Sequence, residues 1–189
     1  IMYGGNEPVF RETTETAAMM VRVARTHIRF GNFEYLKHNG KSQYLEDLLN
    51  HVIDEYYSEL STEKDKYAKF FDSTVKATAQ LIAHWQAVGF SHGVMNTDNM
   101  SILGETFDFG PFGFLENYDP DYICNHSDHE GRYAFNNQPS IGHWNCQALA
   151  AALEGLIPEA ELKASLGKYG TYFYDHLAGL YLSLIHISE

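Results

Sequence analysis

Apolar residues recur at three- and four-residue steps in four stretches of the chain and at strand-like spacing in three. Tyr44, Leu45, Leu48, Leu49, Val52, Ile53, Tyr56, Tyr57 and Leu60 predict an amphipathic helix over 43–60, with Ser42 as its N-cap. A second helix is expected from about Lys64 to Val88, burying Tyr67, Phe70, Phe71, Val75, Leu81, Ile82 and Trp85. Gly89 follows as the residue able to take the left-handed conformation that ends it. Two more helices are expected over 143–156 and about 159–182. Residues 15–24, ETAAMMVRVA, alternate enough to suggest a strand. The opening Ile1-Met2-Tyr3-Gly4-Gly5-Asn6 suggests no clear element, and Gly5-Asn6 reads as a turn.

The segment 89–140 differs in kind. Met100-Ser101-Ile102-Leu103 and Thr106-Phe107-Asp108-Phe109 read as two short strands joined by a tight Gly104-Glu105 turn. About thirty residues of mostly irregular chain follow, rich in Gly, Pro, Asn and aromatics, and a loop of that length is usually functional. Neither a repeat nor a Pro/Ser-rich linker divides the chain, so one α+β domain is expected over 1–182. The tail 183–189, SLIHISE, resembles a translated sequencing adapter and is set aside as non-native. The chain is expected to be an internal fragment of a longer protein.

Composition narrows the function. Thirteen Lys+Arg against 25 Asp+Glu give 13 − 25 = −12, a field that repels phosphate backbones and anionic lipid. Neither a nucleic-acid nor a membrane partner is therefore expected. Two cysteines, Cys124 and Cys146, make no disulfide framework, and no apolar run is long enough for a transmembrane helix. A cytoplasmic location follows as the expectation, or a mitochondrial one for a eukaryotic source.

Charge is also unevenly placed. From Ala77 to Gly131 there is no Lys or Arg, yet Asp98, Glu105, Asp108, Glu116, Asp119, Asp121, Asp128 and Glu130 lie there. Glu116 to Asp121 reads as a solvated face. Asp98 and Asp108 instead flank the expected hairpin. With its turn at Gly104-Glu105, Asp108 would face about Ser101, leaving Asn99 and Asp108 two rungs apart, roughly 7 Å. An amide oxygen and a carboxylate that close suit Mg²⁺ or Mn²⁺, which complete their shells with water and substrate phosphates. Asp98 would remain free as a base.

These residues carry a resemblance. Asp108-Phe109-Gly110 is similar to the metal-binding DFG motif of protein kinases, and Asp98-Asn99 resembles their catalytic-loop Asp and Asn, here neighbours rather than five residues apart. The run HGVMNTDNMSILGETFDFGPFGFLENYDPDYICNHSDHEGRYAFNNQP, with EPVFRET and RVARTHIRFGNFEYL upstream, resembles the selenoprotein O (SelO) family over roughly residues 5–155. The resemblance implies a protein-kinase-like fold: mostly the helical C-lobe, the metal-binding hairpin and part of the N-lobe. It implies a protein adenylyltransferase that moves AMP from ATP to Ser, Thr or Tyr hydroxyls of proteins and releases diphosphate. Asp98 then becomes the catalytic base, Asn99 and Asp108 the metal ligands, and Arg22 and Arg29 the phosphate contacts, Asp108 also serving nucleotide binding through its metal. Arg22 and Arg29 lie seven apart, so one straight strand would send them to opposite faces; a bend near Thr26-His27 is required. The Gly-rich loop and Lys–Glu pair of a kinase small lobe are not identifiable in the chain and are expected before Ile1. A conventional γ-phosphoryl-transferring kinase and a catalytically silent nucleotide-binding scaffold remain the alternatives.

Other candidates receive blander readings. Cys124, His126, Asp128 and His129 crowd possible zinc ligands into CNHSDH, but no second ligand pair accompanies them, and a hydrogen-bonded loop is favoured. A hydrolase built on His126 and His129 would need them to converge with Asp98 or Asp108. The resemblance likens Cys124 to a family cysteine that pairs with one near the full-length C-terminus. His92 reads as structural; Cys146, Trp85 and Trp144 as core; Phe107, Phe109, Phe112 and Phe114, spaced mostly by two, as strand and core packing.

Overall fold

The longest amphipathic stretch becomes the centre of the molecule. In the computed structural model, which describes residues 2–10 and 14–187, helix α3 (Lys66–Ala87) buries Phe70, Phe71, Val75, Ala79, Ile82 and Trp85. Around it pack α4 (Gln138–Leu153), α5 (Glu159–Gly167) and α6 (Tyr169–Ile187). Helix α1 (Phe30–His38) lies against α4 and against α2 (Ser42–Tyr56). One apolar core runs through all six helices, from Phe30 and Leu49 to Leu149, Leu162 and Phe173. Among the described residues the architecture is α+β, mostly helical with two small sheets. Among the described residues no helix is long and apolar enough to cross a membrane.

Several boundaries move for identifiable reasons. Ser42 is the first residue of α2 rather than its cap, a place taken by Lys41. Helix α3 ends at Ala87, and Gly89, at φ 68, supplies the expected left-handed stop. Helix α4 starts at Gln138, earlier than expected, because Pro139 suits a first turn that needs no donor there. The helix expected over 159–182 is two helices parted at Lys168, just after Gly167, one of three glycines in that stretch. Helix α6 continues through Ile187 into the stretch set aside as a tail, with neither Gly nor Pro after Gly179 to stop it. Helix α1 was not expected: it is short, and its stop signal is Asn39-Gly40, with Gly40 at φ 64.

The small sheets also differ. Strands β1 (Met2–Phe10) and β2 (Thr14–Met20) pair antiparallel, Phe10 opposite Thr14 and Pro8 opposite Thr16. An irregularity between Gly4 and Pro8 absorbs Gly5-Asn6, so that pair bends a strand instead of turning it. From residue 21 to residue 28 the chain forms no regular element and bends at Arg25. Ile1, Ser188, Glu189 and the Arg11-Glu12-Thr13 part of EPVFRET lie outside the described residues.

The hairpin expected over 100–109 does not form. Ser101 bridges Arg29 instead, flanked by Phe30 N–H to Met100 O at 3.1 Å and Ile102 N–H to Ile28 O at 3.1 Å. The turn closes earlier, from Gly104 N–H to Ser101 O, with Gly104 at φ 67. Met100, Ser101, Ile102 and Leu103 are all buried, so their apolarity reflects insertion beneath α1 and α3, not one face of a ribbon. The second sheet pairs β3 (Phe90–Ser91) with β4 (Gly113–Phe114).

Candidate functional site

Three segments meet at the start of α1. The first is the stretch 21–29. It bends at Arg25, where Thr26 Oγ1 accepts the Ile28 N–H at 3.2 Å, and the bend turns Arg22 and Arg29 toward one point. That point is Asp108: Arg22 Nη1 lies 2.9 Å from Oδ1 and Arg29 Nη2 lies 2.7 Å from Oδ2. Both guanidinium carbons also sit over the Phe107 ring, 5.2 and 5.1 Å from its centroid. Phe107 is buried as expected, and it doubles as the platform on which the two arginines rest.

Asp108 occupies the left-handed region at φ 61, unusual for a residue with a Cβ. Its carbonyl accepts the Gly110 N–H at 2.8 Å, a tight local turn that aims the carboxylate at the arginines. Although ion-paired, Asp108 Oδ2 and Arg22 Nε are buried with no aligned hydrogen-bond partner. These are charge contacts that leave bonding capacity unused. Beside them, Arg25 pairs with Glu105, and an open cleft of about 550 Å³ is lined by Arg22, Val23, Ala24, Arg25, Glu105 and Thr106.

The second segment is a short 3₁₀ turn, Thr97–Asn99, which holds Asp98 and Asn99. Gly31, in the first turn of α1, approaches Asp98 so closely that a Cβ there would fall on its carboxylate. Asp98 thus lies beside the positive end of a nine-residue helix. Asn99 Nδ2 donates to Val94 O at 2.9 Å, which fixes the amide and leaves its Oδ1 as the free atom. The expected two-rung relation of Asn99 to Asp108 fails with the hairpin; the Arg29–Ser101 bridge joins the two neighbourhoods instead.

The third segment supports the other two through buried polar side chains. His92 is almost fully buried, and its Nε2 lies 3.2 Å from Phe107 O while Nδ1 faces the Val94 N–H at 3.4 Å. A proton on Nε2 satisfies both contacts, tying the chain before Asp98 to the chain before Asp108. Burial pushes the imidazole pKa down, so the ring is held neutral. Gln138 of α4 accepts the His92 N–H at 2.9 Å and donates to Phe90 O at 3.0 Å; Asn145, two turns along, donates to Met95 O at 2.8 Å. Neither amide was anticipated, although their spacing on one face of a helix was readable. Gly31 was likewise missed.

The remaining candidates fall in place. Asp128 accepts the Arg132 and Tyr133 backbone N–H groups, and Asn125 donates to Gly93 O, so CNHSDH is a loop pinned on the segment before Asp98. Cys124 Sγ lies 3.3 Å from Ser91 Oγ, and burial raises its pKa. Cys146 is core, its thiol pushed up to about 12 by burial. Glu116 and Asp119 are exposed. Trp85 is core, but Trp144 is half-exposed under the Arg132 guanidinium. Phe109, Phe112 and Phe114 are not core: they form a partly exposed cluster around Phe90, because the strand meant to bury them pairs for only two residues.

Asn99 carries an amide oxygen and Asp108 a carboxylate whose Oδ2 lacks an aligned partner, ligand types that favour Mg²⁺ or Mn²⁺ over softer ions. Among the described residues no group of three or more His, Cys, Asp or Glu side chains forms a metal cluster.

The family model described as "Protein adenylyltransferase SelO" matches residues 1–186. A protein nucleotidyltransferase YdiU of Erwinia tasmaniensis is 56% identical over 87% of this chain and 34% of its own length. Proteins of the same name from Shewanella sp. (strain MR-7) and Myxococcus xanthus are 52% and 51% identical, over 98% and 92% of this chain and 39% and 36% of their own lengths. The chain therefore spans somewhat over a third of the length of the curated relatives it matches, and it belongs to the SelO family.

Proposed function

We propose that this chain is the catalytic-loop portion of a kinase-like protein adenylyltransferase, and that its parent protein moves AMP from ATP to Ser, Thr or Tyr hydroxyls of proteins. The observation that carries the reading is the convergence of Arg22 and Arg29 on Asp108, in a chain with no other Lys or Arg near Asp98 and Asp108 in sequence. Two forked guanidiniums suit phosphate oxygens better than any single lysine would.

In this reading Arg22 and Arg29 grip the nucleotide phosphates, while Asn99 Oδ1 and the Asp108 carboxylate would hold Mg²⁺ or Mn²⁺, which would supply positive charge to the reacting phosphate and the departing diphosphate. Asp98 takes the proton of the acceptor hydroxyl as its oxygen bonds to the α-phosphorus. The bond from that phosphorus to the bridging oxygen breaks, and diphosphate leaves with the electron pair. Gly31 holds the Asp98 carboxylate against α1, and His92 fixes the spacing of the two acidic segments.

The test uses the full-length protein and ATP labelled at either the α- or the γ-phosphate. Label from the α-position should reach a protein acceptor, and Asp98→Ala should abolish it. Transfer of γ-label alone would mean a conventional kinase; transfer of neither, with nucleotide still bound, would mean a silent scaffold.

A further inference from the structure

We infer that Arg22 and Arg29 block Asp108 from a divalent ion until a nucleotide draws them away, so that metal and nucleotide bind with positive coupling. The inference rests on the site reading above and adds an order of events to it.

Each oxygen of Asp108 has its own guanidinium, at 2.9 and 2.7 Å, and both guanidiniums are seated on the Phe107 ring. One carboxylate between two arginines makes a cluster of net charge +1. A lone cation approaching Asp108 meets that surplus and must displace two partners that are half-buried and pre-seated. A polyphosphate meets the opposite situation. It is drawn to the surplus charge, and its oxygens compete with the carboxylate for the same forks. The unaligned contacts make that exchange easy: Arg22 Nε and Asp108 Oδ2 have no hydrogen bond to lose. Once the arginines have moved to phosphate, Asp108 is free for the ion accompanying the nucleotide. Linkage then requires that metal tighten nucleotide by the same factor.

Two independent measurements on the full-length protein test this. The first follows Mn²⁺ binding by the loss of the free-ion EPR signal, with and without a non-hydrolysable ATP analogue. The analogue should tighten Mn²⁺ by about tenfold or more, as couplings of this kind do. Arg22→Gln and Arg29→Gln should each tighten Mn²⁺ several-fold when nucleotide is absent. The second follows the same analogue by calorimetry in EDTA. There Asp108→Asn should bind it several-fold more tightly than wild type, because the arginines are released.

Glu105→Gln removes a carboxylate of the neighbouring Arg25 pair and serves as the charge control. It should shift neither affinity by more than about twofold. Arginine variants that bind Mn²⁺ no better than wild type, or Asp108→Asn that binds the analogue no better in EDTA, would overturn the inference and leave the site reading intact. So would a Glu105→Gln shift as large as the others, since bulk charge would then explain everything. A wild-type protein that binds no nucleotide, with metal or without, would instead bring down the site reading itself. The aspartate and arginine variants probe opposite sides of the exchange, so a folding failure in one leaves the other decisive.

Discussion

The helical body and the loop segment 89–137 are built on different physics. In the body, Phe70, Leu49, Ile82 and Leu149 are fully buried, and position is set by volume and shape. In the loop segment buried side chains such as Met100 and Phe107 are joined by polar ones that place the main chain: Gln138 and Asn145 reach in from α4 to Phe90, His92 and Met95, and His92, within the segment, reaches Phe107. A packed core tolerates chemical change that preserves volume, whereas a polar scaffold tolerates almost none, since each lost partner leaves a buried group unpaired. The chemistry sits on the second kind of structure and leans on the first.

Phe70→Ala is the harshest probe of the body. The ring is fully buried and meets Tyr57 edge-on, 5.4 Å between centroids. Its removal should cost about 3–5 kcal/mol of stability, read from denaturant unfolding of the full-length protein. The nucleotide affinity of whatever remains folded should change little. A large fall in affinity at unchanged stability would show that body and site are not separable in this way.

Gly31→Ala should do the reverse. Alanine favours a helix over glycine by roughly 0.5–1 kcal/mol, so stability should hold or rise slightly. The added Cβ falls on the Asp98 carboxylate, and a base displaced by about an ångström can cost on the order of 100-fold in rate. Unimpaired α-label transfer by this variant would remove Asp98 from the chemistry.

His92 offers a pH-dependent break in the polar scaffold. The folded protein holds the ring neutral, with its pKa lowered by burial, while the unfolded chain protonates it near its ordinary value of about 6.5. Below that value the unfolded state binds the extra proton, so stability falls as pH drops. The slope is at most about 1.4 kcal/mol per pH unit and ends once the folded ring also protonates. His92→Gln keeps an N–H donor for Phe107 O and removes the titration. The loss of stability between about pH 7.5 and about pH 5.5 should therefore be smaller in the variant than in wild type. Equal losses would assign the pH dependence to other groups, His176 among them.

The same division explains what could be read from the chain in advance. Helices α2 and α3 were legible because burial writes a repeating stripe, and Gly89 was legible because only a left-handed residue ends α3 there. Asp98, Asn99, Asp108, Arg22 and Arg29 were singled out by motif, and the need for a bend between the arginines followed from strand geometry. The bend itself occurs, at Arg25. The hairpin over 100–109 was misread because Met100 and Ile102 look the same whether their partner is Phe107 or the far-away Ile28–Phe30 segment. Sequence spacing records that a residue is buried, not against what. Gln138 and Asn145 were invisible for the complementary reason: an amide on a helix carries no sign of the backbone it will hold.

Trp85 lies on the border between the two regions, and its replacement should have the smallest effect. Its ring packs against Phe90 and His92, while its Nε1 donates to Thr106 Oγ1 at 2.8 Å, joining α3 to the chain just before Phe107. Trp85→Phe keeps most of the aromatic surface and deletes the donor. Loss of one such hydrogen bond should cost about 1 kcal/mol, and trimming the ring adds a little more. Because Thr106 also lines the cleft beside Arg22, loosening it should be felt in nucleotide affinity as well as in the unfolding midpoint. Trp85→Leu removes the donor and the ring together, and comparing the two variants divides the bond from the packing. If Trp85→Phe already matched Trp85→Leu in both measurements, the bond to Thr106 would be the whole anchor. If it matched wild type, α3 would hold the site segment by packing alone, and the boundary between the two kinds of structure would lie beyond Thr106, nearer Asp108.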